Sequence, residues 1–221
     1  MHRIKTPQIW IVGVALVLSL MALPAMASAQ NYDVTITNLT KGQIFSEPVV
    51  YTHRSSFDLF TPGESAIPEL AGLAEDAAFE PLVALLSAEP KVADVAVGGS
   101  VVLPGESITV RVRAWGRARY ITALGMLVTT NDAFFASEKR VPAFSSTIYA
   151  TAWDAGSEAN TQDCDHIPGP PCGNGGVRVT EGAEGYVSVH AGIQDRGSLS
   201  PENHDWRNPV ARIVVRKVTK K

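Results

Sequence analysis

The chain has 221 residues, 45% of them hydrophobic and 19% charged, a globular composition with enough length to bury a core. Its formal charge of −3 excludes a basic nucleic-acid footprint at the level of the whole chain. An aromatic content of 7% argues against a base-stacking surface.

Residues 1–29 read as an export signal. His2, Arg3 and Lys5 form a basic start, an apolar run follows over 9–23, and Ala25, Ala27 and Ala29 supply small-residue cleavage positions. Cleavage is expected after Ala29, leaving 30–221 as one domain in the periplasm or the medium. An uncleaved anchor is the alternative, but the run falls short of the ~20 residues that span a bilayer. No later stretch is apolar enough for a membrane span.

Residues 31–39 (NYDVTITNL) alternate like a half-buried strand, and 49–52 is a second, shorter one. Residues 65–88 change character. They are rich in Ala, Leu and Glu, with Leu70, Leu73 and Ala74, then Phe79, Leu82, Val83 and Leu86, at helical spacing. Pro68 and Pro81 suit the first turns of two short helices whose apolar faces cover an end of a sheet. Strands are expected again at 92–97, 107–114, 120–129, 146–152, 185–190 and 210–218. About eight strands with a short helical insertion predict an all-β antiparallel sandwich.

Export places the chain in an oxidising compartment, where Cys164 and Cys172, the only cysteines, can pair across a Pro- and Gly-rich loop. The rival reading is a zinc site of Cys164, Cys172 and His166, which lacks a fourth ligand at a familiar spacing. Between 150 and 206 nine acidic side chains face only Arg178 and Arg196. Loops rich in carboxylates, amides and free carbonyls offer the hard oxygen ligands that calcium prefers; a solvated acidic surface is the plain alternative.

Catalytic motifs are missing. There is no G-x-S-x-G elbow, no H-E-x-x-H helix and no P-loop, and His53, His166, His190 and His204 show no recognisable pairing. No catalytic residue is expected, and the chain is read as a non-enzyme. The strongest local signal is a pair of segments, 129–136 (TTNDAFFA) and 152–158 (AWDAGSE), each leaving a strand. Asp154 and Glu158 lie four apart around a glycine, so a tight turn can aim both carboxylates at one point, with Asp132 reaching in from a neighbouring loop. Three crowded carboxylates repel unless a cation neutralises them. The alternative is that Asp132 and Asp154 cap turns through the backbone. Phe134, Phe135 and Trp153, beside these acids, are expected mostly in the core.

N-D-A-F-F at 131–135 and W-D-A-G-S-E at 153–158 resemble stretches of the spondin N-terminal domain, a module of F-spondin and of many exported bacterial proteins. The resemblance runs from Tyr32 to Val218. It implies an antiparallel β-sandwich related to the calcium-binding sandwiches of synaptotagmin, and a calcium ion held by Asp132, Asp154 and Glu158. The sequence departs from the animal domains with Ala133 in place of Trp and Glu158 in place of Asp. The expected function is an exported, calcium-binding, non-enzymatic module for envelope, surface or matrix interaction or adhesion, its partner a surface or matrix protein or a polysaccharide. One alternative is a hydrolase of an extracellular polymer, with two opposed loop carboxylates drawn from 154–206. The other is a periplasmic small-ligand binder with an enclosed apolar pocket.

Overall fold

The computed structural model describes residues 29–219. The expected export signal, Ala29 apart, lies outside the described residues, as do Lys220 and Lys221. Among the described residues no helix is long and apolar enough to cross a membrane.

The elements in chain order are β1 (Gln30–Asn38), β2 (Val49–His53), α1 (Pro68–Asp76), α2 (Phe79–Ala88), β3 (Val92–Val97), β4 (Ser107–Ala114), β5 (Tyr120–Met126), β6 (Ala133–Arg140), β7 (Ser145–Asp154), β8 (Ser188–Val189), α3 (Pro201–His204) and β9 (Ala211–Lys217). The strands follow the order β3-β2-β5-β6-β7-β9-β1-β4, with β8 beside β7, and the pairings are antiparallel.

Strand β7 joins the two layers. Its first part, from Ser145 to Ala150, pairs with β9, and its last part, from Thr151 to Asp154, pairs with β6. The two end strands meet at a seam without a ladder. There Arg113 N donates to Asp94 Oδ2 at 2.7 Å, and Thr52 Oγ1 donates to Arg113 O at 2.7 Å. The sheet is therefore almost closed, and its exposed edges are nearly consumed.

Two apolar layers follow from the side-chain pattern. Tyr32, Val34 and Ile36 on β1 stand beside Val110 and Val112 on β4 and Ile213 and Val215 on β9. They face Val50, Ile121, Ala123, Phe135 and Ala152 from the other layer. The opposite face of β2, β5 and β6 packs Val49, Tyr51, Leu124 and Phe134 against Leu70, Leu73, Leu82 and Leu86 of the helices. Strand β2 is thus buried on both faces, which is why VVYTH shows no alternation.

The all-β class with a helical insertion holds. Pro68 opens α1, and Pro81 sits in the first turn of α2. The helices lie over a sheet face, not over an end as the sequence suggested. Strand β6 had no counterpart among the strands expected from the sequence, and the strand expected at 185–190 shrinks to the two residues of β8. Cys164 and Cys172 form a disulfide, so the rival zinc reading loses both thiolate ligands. Phe134 and Phe135 are fully buried, and Trp153 is half-buried.

Candidate metal centre

The turn between β5 and β6 fixes Asp132. Leu127 N donates to Ala133 O at 2.8 Å. Thr130 Oγ1 donates to Leu127 O at 2.6 Å and accepts from Ala133 N at 3.0 Å. The disulfide loop buttresses this turn: Thr129 Oγ1 donates to Pro170 O at 2.8 Å. Gly169 packs so closely that a Cβ there would stand 2.1 Å from Val128 O. Replacing Thr130 with Val keeps the shape but leaves a buried carbonyl and a buried N–H short of a partner. We expect a loss of about 1–3 kcal/mol, read as a shift in the urea midpoint.

Register then sets the neighbours. Ala133 pairs with Asp154, and Ala155 N donates to Asp132 O at 3.1 Å. Gly156 turns the chain at φ 67°. Asp154 Oδ1 accepts from Gly156 N at 2.7 Å, so Asp154 caps its own turn. Asp132 caps the same loop from across the strands. Its Oδ2 accepts from Ser157 N at 2.8 Å, Ser157 Oγ at 3.2 Å and Glu158 N at 3.0 Å. Turn capping therefore describes one oxygen of each aspartate.

The remaining oxygens divide into two surroundings. Asp154 Oδ2 accepts from Asn160 Nδ2, which also donates to Glu184 Oε1 at 3.2 Å. Asn160 Oδ1 accepts from His190 Nε2 at 3.0 Å, while His190 Nδ1 accepts from Gly192 N at 2.9 Å. That pattern fixes the Nε2–H tautomer of His190, whose burial pushes its pKa down to about 4. A small cavity of about 150 Å³, lined in part by Asp154, Asn160, Glu184 and Gln194, opens on this side.

On the other side, Asp132 Oδ1 and Glu158 Oε2 are buried without a hydrogen-bond partner among the described residues. Glu75 of α1 lies close enough to act on Glu158. Arg178 reaches this corner from the long loop. Its Nε stands 2.6 Å from Glu75 Oε2, although the approach lacks hydrogen-bond alignment, and its Nη2 donates to Asp76 Oδ2 at 2.8 Å.

Burial is the first cause of every shift here. It raises Asp132, with the Asp154 charge adding to the rise, and it raises Asp154, opposed by the Asn160 hydrogen bond. Glu158 is pushed up to about 8 by burial, then by Glu75 and Asp132; Asn131 and Arg178 nearby offset part of this. The structure thus brings Asp132 beside Asp154 on one side and beside Glu158 on the other. Among the described residues, no group of three His, Cys, Asp or Glu side chains is arranged as a ready-made metal cluster. Glu75 and Asn160 belong to the site and carried no local signal of it; Glu184 and Arg178 were singled out only as members of the acidic stretch 150–206. A glutamate following the helical core positions Leu73 and Ala74 was the nearest hint.

No family model matches the chain, and no curated protein matches it.

Proposed function

We propose that the protein is an exported, non-enzymatic β-sandwich that binds calcium through Asp132, Asp154 and Glu158 and engages a partner at a surface or in a matrix. The observation that carries the calcium reading is the pair of buried, unpartnered carboxylate oxygens, Asp132 Oδ1 and Glu158 Oε2. A buried carboxylate oxygen without a partner is costly, and a proton or a cation relieves that cost. The donors are all oxygen, which suits calcium and disfavours soft or borderline metals. Calcium would supply the missing positive charge and tie the 127–132 turn to the 155–158 loop. The resemblance of 131–135 and 153–158 to the spondin N-terminal domain points to Asp132 and Glu158 as well, and adds Asp154. Extracellular modules bind calcium at ~10⁻⁴–10⁻³ M, adequate outside a cell. Export, the calcium-dependent role and the absence of catalysis are parts of one reading.

Asp132→Asn separates a ligand from a structural residue. The amide keeps an oxygen for Ser157 and Glu158 but removes a repelling charge. At pH 8 the metal-free variant should unfold no lower than the parent, and calcium should no longer raise its Tm. Retention of the full calcium shift in Asp132→Asn contradicts the assignment; magnesium serves as the control ion.

A further inference from the structure

The helices cover the outer face of β2, β5 and β6, Phe60 from the loop before α1 packs on Phe134 and Trp153 beside them, and β7 continues beyond. Tyr149, Thr151 and Trp153 alternate along β7 with buried Ala150, Ala152 and Asp154, so they share the outer face. Tyr149 is 58% exposed, well beyond what a capped sheet face shows. Val189, paired with Trp153 on β8, is exposed as well. A groove of about 420 Å³ lies over this face, within the size range of ligand sites. Its wall carries Asp58 and Phe60, and its floor carries Glu138, Tyr149, Thr151 and Trp153. The Phe60 ring meets Trp153 edge-on, with centroids 5.6 Å apart, which holds the indole in place.

The charged residues lining this groove, Asp58 and Glu138, are both acidic, and Arg212, opposite Tyr149 in register, stands at its border. None of the residues lining it is basic. Among the described residues, the nearest nitrogen to Glu138 is His53 Nε2, 3.3 Å from Oε2; His53 Nδ1 donates to Arg54 O at 2.9 Å, so the neutral ring has no proton at Nε2 to give Glu138, and burial lowers the pKa of His53. Burial and the Asp58 charge both raise Glu138. A neutral ligand leaves that repulsion in place, whereas a cation relieves it. Carboxylates beside partly exposed aromatic faces are the combination that holds an organic cation, through Coulomb attraction and the ring quadrupole together.

The geometry points to this groove as the docking site for a basic peptide segment of a partner protein, its Lys or Arg side chain engaged by Asp58 and Glu138 and by the rings of Tyr149 and Trp153. The assignment deepens the interaction part of the proposed function and rests on it. It does not depend on the calcium part, because Asp154 faces the opposite side of β7 from Tyr149 and Trp153.

The test is fluorescence anisotropy with a labelled peptide of alternating lysine and serine, against the same peptide with glutamate in place of lysine. A neutral glucose hexasaccharide is the third probe. Each runs once in chelator and once in calcium. The lysine peptide should bind saturably in both conditions, and the glutamate peptide should not bind. Affinity should fall at least tenfold in the Asp58→Asn, Glu138→Gln double variant and at least threefold in Tyr149→Ser. Tyr149 is exposed, so that second variant folds and tests the groove even if the first does not. Three results overturn the proposal: no binding of the lysine peptide, binding unchanged in both variants, or saturable binding of the hexasaccharide alone. A failed calcium reading shows itself separately, as peptide binding intact with no calcium effect on Tm.

Discussion

Gly156→Ala will cost about 3–5 kcal/mol and dismantle the loop that carries Glu158. Gly156 holds φ 67°, a region that a Cβ disfavours by about 1 kcal/mol. Lack of space costs more than this backbone preference. A Cβ at this position would stand 2.3 Å from Tyr186 O and 2.6 Å from Tyr186 N. Both are backbone atoms, so no side chain can rotate away. The neighbouring strap cannot retreat cheaply either. Gly185 N donates to Gly156 O at 2.8 Å, and Val187 N donates to Glu64 O at 2.8 Å. The displaced loop also takes the Ser157 and Glu158 N–H groups away from Asp132, leaving its second oxygen unsatisfied too, beside the two buried carboxylate oxygens already without a partner. Urea unfolding measures the loss, and near-UV circular dichroism reports Trp153 next to the loop. A cost within 1 kcal/mol of the parent contradicts this account of the turn.

Raising the pH will destabilise the metal-free protein, and calcium will reverse the trend. Glu158 titrates at about 8 in the fold against an ordinary value of 4.5, and Asp132 and Asp154 move in the same direction. The folded state therefore holds protons more tightly than the unfolded chain. That contribution is complete below about pH 4.5 and is lost as the pH rises through about 8. Part of each charge is screened, so we expect a loss of about 2 kcal/mol between pH 6.5 and 8.5, or roughly 4–8 °C in Tm. His190 has the opposite sign. It is kept neutral in the fold, so its contribution is present above its ordinary 6.5 and is lost as the pH falls below that. Working above pH 6.5 isolates the carboxylates. Calcium bound as proposed would compete with the protons, so its affinity should rise across the same window. At a hundredfold excess over its dissociation constant it adds about 2.7 kcal/mol. Metal-free melts that stay flat from pH 6.5 to 8.5 contradict the electrostatic account of the cluster.

Much of the fold was readable where one strand face is buried and the other is wet. Ser107–Ala114 alternates in sequence and in burial, and it was placed to the residue. Strand β6 escaped because its first four residues, Ala133 to Ala136, are buried on both faces, between the sheet core and the helical roof. Apolar runs of that kind carry no period. The remaining residues, Ser137 to Arg140, look like a polar loop. The expected strand at 185–190 fails for a local reason: Gly185 takes φ 76°, and Val187 hydrogen-bonds to Glu64 instead of to β7. Only Ser188 and Val189 remain free to pair.

The site was readable in part for a related reason. Asp132 and Asp154 stand at strand ends, and antiparallel register brings strand ends together. Glu158 follows a glycine that forces a tight turn. The residues that complete the electrostatics arrive from elsewhere: Glu75 from a helix, Asn160 and Glu184 from either side of the disulfide-bearing loop, and Arg178 from within it. Their proximity depends on how the 155–187 segment folds back, which no local pattern encodes. Two unpartnered oxygens in a buried cluster are equally invisible without coordinates.

Calorimetric titration of the purified protein with calcium at pH 7.5, with Asp132→Asn in parallel and magnesium as control, tests the central claim most directly. The account predicts one saturable calcium site with a dissociation constant of ~10⁻⁴–10⁻³ M, release of protons on binding, and loss of that site in the variant. Absence of saturable heat up to ten times the upper value, or a site that survives Asp132→Asn unchanged, contradicts it.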